Sequence, residues 1–365
     1  MRAPSSVANK STNQNMSTGS KFEFKDEHFG PLAPFINDDN VTDINYNGTD
    51  VWIDDLTKGR YKCNIILTPE FVNQFTVRIA DRVSESFNQY NPLLEAETNT
   101  LRVSIVHESV LNTGRSISIR KTPIIKRLTV RKILNEEYCS QEVLNFLISC
   151  VDGKMNMMMC GLPGTGKTEL LKFLTGYIPD NERVITIEDN LEIHYTEINP
   201  GKDCVEMKVD QDRFDYVKAI KACLRQNPQW ILLSEARSTE VKYLIESMST
   251  GTHCLTTIHT DDVRKVPDRI KNMIQDGSAA DRIINDVYSF LDVAVLIKKK
   301  FHNGRIVRFV DQICIFSREE GENVCQLLVN EGRVINKDIP YEVKRKFETS
   351  NVHDPFNRSG VLPNQ

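Results

Sequence analysis

Several protein classes are excluded by what this chain lacks. No stretch of its 365 residues approaches the ~18 consecutive apolar residues of a membrane-spanning helix. The longest sticky run, residues 155–160, is far too short. The N-terminus carries no apolar core of a secretory signal, so a cytoplasmic protein is expected, reaching any membrane only through partners. Nine cysteines are present, but the number is odd and no C-x-x-C pair or zinc-ligand spacing occurs. They read as reduced, mostly buried thiols rather than a disulfide framework. A basic excess is missing too. The formal net charge is −4, which argues against a protein that holds nucleic acid by bulk electrostatics. There is no internal repeat, and no heptad pattern of a coiled coil.

What is present is an ordinary globular composition, 40% hydrophobic and 26% charged. At roughly 100–200 residues per domain, the length predicts two domains. Residues 1–20, rich in Ser, Asn, Thr and Lys, are expected to form a disordered tail. Segments 41–46, 51–53 and 61–67 alternate like strands, separated by Asn47-Gly48 and Lys58-Gly59 turns. Residues 69–89 read as a helix, with Phe71, Phe75, Ile79 and Val83 at near-helical spacing. Strands at 101–106 and 116–120 complete an α+β domain over 21–122, and residues 123–139 read as a linker. From 140 to 335 the rhythm becomes strand–helix alternation, with strands expected at 156–160, 183–187, 230–234, 254–258 and 293–298. That pattern predicts an α/β domain built on a mostly parallel sheet. Segments 305–310 and 312–316 look like a closing hairpin, and 336–365 like a polar tail.

One motif decides the class. Gly161-Leu162-Pro163-Gly164-Thr165-Gly166-Lys167-Thr168 satisfies G-x-x-x-x-G-K-[ST] in full, with an apolar strand before it and a helix after it. The glycines let the backbone wrap a phosphate with its N–H groups inward, and the helix adds its positive end. Lys167 is expected to reach the β- and γ-phosphates of ATP, and the Thr168 hydroxyl to reach Mg²⁺. The nucleotide-binding set is therefore Gly161, Pro163, Gly164, Thr165, Gly166, Lys167, Thr168 and Glu169.

Three further strands end in polar tips. Trp230-Ile231-Leu232-Leu233-Ser234 leads to Glu235, a candidate metal-shell ligand and water-activating base. Ile185-Thr186-Ile187 leads to Glu188, Asp189 and Glu192, acids whose crowding costs stability unless a role compensates, although a solvated loop would look the same. Thr256-Thr257-Ile258 leads to His259. In a doubly wound sheet such ends open onto the ligand crevice.

As a set these motifs resemble the secretion (traffic) ATPases of bacterial type II and type IV secretion, conjugation and pilus machines, closest to the branch of type IV secretion and tight-adherence pili. Four signatures match in order: the P-loop; an acidic box, Ile187-Glu188-Asp189-x-x-Glu192; a Walker B-like stretch, Leu224-Arg225-x-x-Pro228 through Glu235-x-Arg237 to Glu240; and a histidine box ending Thr257-Ile258-His259. Upstream, Thr42-Asp43-Ile44-x-Tyr46-Asn47-Gly48, Pro92-Leu93-Leu94-Glu95-Ala96, Arg102-Val103 and Ser118-Ile119-Arg120-Lys121 are similar to the family's N-terminal domain. The resemblance implies a PAS-like α+β domain followed by a RecA-like ATPase domain, assembled as a homohexamer. It also implies an inner-membrane machine component as partner. It assigns Glu188 and Glu235 to water and Mg²⁺, makes His259 catalytic, and sends Arg102 and Arg120 to the phosphates. Four positions depart from the pattern: Ser234 where the family usually has Gly, Gln229 for Asp, Asn190 for Pro, and Thr252 before a displaced His253.

The expected function is thus an ATP-hydrolysing motor for secretion, conjugative DNA transfer or pilus assembly. A catalytically weak nucleotide-binding scaffold and a small-molecule P-loop kinase remain open, the latter against the absence of an Arg-rich lid. Direct nucleic-acid binding is not expected.

Overall fold

The computed structural model describes Phe24 and residues 26–210, 213–274 and 280–358. The tail expected at 1–20 lies outside them. The chain divides into two compact units. Among the described residues, one comprises those up to 38 with 44–52 and 63–120; the other comprises 39–43, 53–62 and those from 121 onward.

The first unit contains short helices α1 (Asp26–Phe29) and α2 (Ala33–Ile36) and the longer α3 (Pro69–Val83). Thr68 starts α3 by accepting the Phe71 N–H at 3.2 Å, Pro69 supplies a preset φ, and Ser84 ends it in the left-handed region. Val72, Phe75, Thr76 and Ile79 form its buried stripe. Six strands, β1 (Val41–Tyr46), β2 (Val51–Asp55), β3 (Gly59–Cys63), β4 (Leu93–Glu97), β5 (Leu101–Val106) and β6 (Ser116–Lys121), form a sheet in the order β3-β2-β1-β6-β5-β4. Sequence reading missed β4, the antiparallel partner of β5.

The second unit carries a nine-stranded sheet. Its strands are β7 (Met157–Cys160), β8 (Val184–Glu188), β9 (Cys204–Lys208), β10 (Trp230–Leu233), β11 (His253–Ile258), β12 (Val293–His302), β13 (Arg305–Glu319), β14 (Glu322–Asn330) and β15 (Arg333–Val334). The order is β15-β14-β13-β12-β7-β11-β10-β8-β9, parallel from β12 to β9 and antiparallel from β12 to β15. Helices are α4 (Val130–Asn135), α5 (Gln141–Asp152), α6 (Lys167–Thr175), α7 (Tyr195–Ile198), α8 (Tyr216–Cys223), α9 (Glu240–Ser249), α10 (Val266–Met273), α11 (Ala280–Phe290) and α12 (Tyr341–Thr349). Alternate strand residues face opposite sides. Met157, Met159, Leu232 and Leu255 join one core with α5, α6 and α12; Met158, Cys160, Ile231 and Leu233 join a second with α8, α9, α10 and α11. Burial on both faces is why these strands read as unbroken apolar runs.

Asn156, just before β7, ties three strand starts together. Its N–H donates to Asp292 Oδ2 at 2.8 Å, its side-chain amide donates to Phe290 O at 2.7 Å, and its Oδ1 accepts the Cys254 N–H at 2.8 Å.

Two expectations need correction. Segments 305–310 and 312–316 are not two strands of a hairpin but one strand, β13, paired with β12 on one side and β14 on the other. The apparent break at Asp311 is a bulge, where the register with β12 shifts and the buried carboxylate pairs with Lys298 Nζ at 2.7 Å. Nor are residues 336–358 a loose polar tail. Val343 and Phe347 of α12 are buried, and Phe356 stacks on Phe146 with ring centroids 4.9 Å apart. Lys346 Nζ reaches Asp292 Oδ1 at 2.6 Å. Two apolar residues one turn apart on an otherwise polar helix gave too little periodicity to read. Among the described residues no helix is long and apolar enough to cross a membrane.

Candidate nucleotide site

Strands β7, β11, β10 and β8 are neighbours and parallel, so the segments after their carboxyl ends converge on one edge of the sheet. That edge is where an open α/β sheet binds its ligand. The P-loop follows β7, the Glu188–Glu192 acids close β8, Glu235 follows β10 and His259 follows β11.

Backbone sterics dictate the glycines of the loop. Gly161 has φ +151°, and a Cβ there would lie 2.5 Å from Thr165 Oγ1 and 2.6 Å from Ile297 O. Gly164 and Gly166 also take positive φ, +72° and +93°. Gly166 is the N-cap of α6 and offers no side-chain cap, which leaves the first N–H groups of the helix for another acceptor. Thr165 closes the turn by donating its hydroxyl to Leu162 O at 2.9 Å.

Lys167 is nearly buried, and burial pulls its pKa below the ordinary lysine value although Glu235 acts in the opposite direction. Its Nζ donates to Leu162 O at 3.3 Å and lies 3.3 Å from His259 Nδ1. His259 Nε2 meets Glu235 Oε1 at 2.8 Å. His259 Nδ1 also lies 3.2 Å from Gly161 O, so the ring joins the P-loop backbone and Lys167 on one side to Glu235 on the other. The other Glu235 oxygen accepts from Arg237 at 2.8 Å, and Arg237 also reaches Asp189 Oδ2 at 2.8 Å. Burial opposes the Arg237 charge, but these two carboxylates outweigh it and hold the guanidinium protonated. Glu240 fixes the turn beneath, its Oε1 accepting the N–H groups of Arg237 and Ser238 at 2.7 Å each. A continuous polar chain therefore runs Asp189–Arg237–Glu235–His259–Lys167.

Next to this chain, Thr168 Oγ1 donates to Glu192 Oε2 at 3.2 Å. A hydroxyl and a carboxylate side by side at the helix start fit a hard, oxygen-seeking cation such as Mg²⁺. Glu188 is placed differently from Glu192. It is fully buried at the end of β8, and its Oε2 accepts the Glu192 and Ile193 N–H groups at 2.9 and 3.0 Å. Its Oε1 is buried with no hydrogen-bond partner among the described residues. Burial pushes its pKa up to about 8, against the two backbone donors. Glu188 thus holds the loop that presents Glu192 to Thr168. Glu169, expected at the nucleotide, is turned toward residue 127, accepting the Arg127 N–H at 3.3 Å and lying 3.8 Å from Lys172 Nζ. Arg102 and Arg120 belong to the first unit, exposed on β5 and β6, where Arg102 lies 3.8 Å from Glu95. A cavity of about 800 Å³ adjoins Leu162, Pro163 and His259 on the side of α10, where Lys265, Asp268 and Arg269 line it.

The family model of the type II/IV secretion system proteins matches residues 91–345 of this sequence. The chain belongs to that family. This secretion ATPase relative is 27% identical over 308 residues to an uncharacterized protein of Bacillus anthracis, covering 80% of this chain and 69% of that protein. It is 31% identical over 203 residues to VirB11 of Agrobacterium fabrum, covering 52% of this chain and 57% of VirB11. The chain thus spans little more than half the length of that VirB11. Among solved structures, the Legionella pneumophila ATPase DotB matches with a TM-score of 0.60 at 16% identity, over 90% of this chain and 87% of that one. The pilus retraction motor PilT with bound ADP matches with a TM-score of 0.59 at 17% identity, over the same shares. These likenesses show a shared α/β fold.

Three residues carry more of the candidate site than sequence reading assigned to them. Glu192 and Arg237 stand inside quoted signatures, four positions from Glu188 and two from Glu235, so local spacing was a usable signal. Arg308 lies 144 residues from Gly164, and no motif connects them.

Proposed function

We propose that this chain is an ATP-hydrolysing motor subunit of a secretion, conjugation or pilus machine, acting as a homohexamer at the cytoplasmic face of a membrane through an inner-membrane partner. The observation that carries the reading is the pair of arrangements at the P-loop: Lys167 joined through His259 to Glu235 and Arg237, and Thr168 joined to Glu192. The second unit then acts as a RecA-like ATPase domain and the first as a PAS-like domain whose Arg102 and Arg120 answer to the phosphates.

The residues divide the work. The N–H groups of residues 164–168 and the Lys167 ammonium bind the phosphates. Mg²⁺, held by Thr168 with Glu192 and Glu235 near it, would neutralise charge developing on the transferred phosphoryl group. Glu192, beside the Thr168 hydroxyl, takes the proton of the attacking water. His259 links Lys167 to Glu235, so movement of the ammonium toward phosphate is felt by the acid and by Arg237. Family membership and the fold shared with DotB and PilT support the motor reading.

Steady-state phosphate release with Mg-ATP tests this, with solution mass measured alongside. Lys167→Ala and Glu192→Gln should each abolish turnover while nucleotide-dependent oligomers persist in Glu192→Gln. A wild type that binds ATP, forms no oligomer and releases no phosphate with its membrane partner present would instead favour a scaffold, a reading kept by Ser234 at the position before Glu235.

A further inference from the structure

Strands β12 and β13 run past the edge of the sheet as a two-stranded ribbon, in which Lys299 stands directly opposite Arg308. Opposite residues of an antiparallel pair project from the same face. Both cations lie on the P-loop. Lys299 Nζ donates to Pro163 O at 3.3 Å, and Arg308 Nε donates to Gly164 O at 3.3 Å. The approach is close: a Cβ at Gly164 would lie 3.1 Å from Lys299 Nζ, and one at Gly166 would lie 3.5 Å from Arg308 Cδ. Arg308 is further oriented by the Leu56 carbonyl, 2.9 Å from NH1.

Neither cation makes an ion pair among the described residues, although their neighbours are satisfied: Lys298 pairs with Asp311, and Lys300 sits over the Phe309 ring. Burial works against the Arg308 charge. A half-buried guanidinium whose hydrogen bonds go to the Gly164 and Leu56 carbonyls, with the Glu169 charge acting only from a distance, is an arrangement that an anion would complete. The strand order says which part of the anion. Glu235 and His259 follow β10 and β11, on one side of β7, whereas β12 and β13 lie on the other side. A triphosphate laid across the P-loop with its reacting end at Thr168, Glu192 and Glu235 extends its nucleoside end toward the ribbon.

We propose that Lys299 and Arg308 form a second cationic clamp, holding the α- and β-phosphates of the nucleotide and leaving the γ-phosphate to Lys167. The inference rests on the ATPase reading above. It makes the ribbon a binding element and not a chemical one, so ADP and ATP should feel it alike.

The test uses the full chain and its variants Lys299→Ala, Arg308→Ala and Arg308→Lys, with ADP and ATP binding measured by calorimetry and turnover by phosphate release. Lys299 is the safer probe because its side chain is exposed, and thermal melting shows that each variant is folded. Each alanine variant should weaken ADP and ATP by about tenfold, the worth of one charge-assisted hydrogen bond. KM should rise while kcat stays within about twofold, and Arg308→Lys should recover part of the loss. Unchanged ADP affinity in both alanine variants, with Lys167→Ala still losing ATP, would overturn the clamp and leave the ATPase reading standing. A fall in kcat without a change in KM would also overturn it. A wild type that binds neither nucleotide would overturn both.

Discussion

Replacing Glu188 by glutamine separates two roles that a buried acid at a strand end could have. In the structure the carboxyl group is fully buried, one oxygen accepts two backbone N–H groups, and the other has no hydrogen-bond partner among the described residues. Its pKa is pushed up to about 8 from an ordinary carboxylate value. An unfolded chain releases this proton near pH 4.5, while the folded chain keeps it until about pH 8. The stability associated with the protonated form is therefore complete below the lower value and is lost as pH rises through the upper one. The slope is about 1.4 kcal/mol per pH unit and flattens near the upper value, so between roughly pH 6 and pH 8 the wild type gives up about 2 kcal/mol through this group. Glutamine keeps an acceptor for both N–H groups and has no proton to lose. Glu188→Gln should therefore be more stable than wild type at the alkaline end and should retain turnover, whereas Glu188→Ala should lose both, because two buried N–H groups are left unpaired at about 1–3 kcal/mol each. Urea unfolding across this pH range and phosphate release at each pH read the two effects. A Glu188→Gln protein that is stable but dead would refute the positioning role and make Glu188 a reacting carboxylate. An unchanged pH slope would refute the burial argument.

Two further substitutions probe the frame of the site. Gly161→Ala puts a methyl group 2.5 Å from Thr165 Oγ1 and 2.6 Å from a backbone carbonyl, in a conformation side chains rarely adopt; denaturant unfolding should show a loss of roughly 1–3 kcal/mol or more, together with lost ATP binding. Phe347→Ala removes a buried ring that packs beside Phe146 and against Gly153. The expected cost is about 3–5 kcal/mol, and limited proteolysis should then cut within 336–358, which a loose tail would allow in wild type already.

Much of the α/β unit was legible because its central strands are buried on both faces. Such strands show as apolar runs, and the polar residue ending each run marks the ligand edge. Strands β9 and β14 lack that signature, since they lie toward the outside of the sheet and are only partly buried. That Lys167, Thr168, Glu235 and His259 gather at one edge of the sheet was legible from motif and position. The choice between Glu188 and Glu192 was not. Both are acids after the same strand, and which one meets Thr168 depends on the turn at residues 189–192, whose path is set by the backbone bonds that Glu188 itself accepts. Lys299 and Arg308 were invisible for another reason: they reach the loop by the pairing of two later strands, and no local spacing encodes that meeting.

Asn156 has a consequence for how the site could be re-engineered. By gripping the starts of β7, β11 and β12, it serves as a datum from which strand length is measured. Four residues of β7 bring the chain to Gly161, and six of β11 bring it to His259. Inserting one residue into β11 would carry the imidazole about 3.3 Å along and turn it to the other face of the sheet. The strand starts at one edge of the sheet therefore set the tolerance to which the candidate site at the other edge is built. Point substitutions at the candidate site preserve that alignment, whereas insertions or deletions in these strands do not.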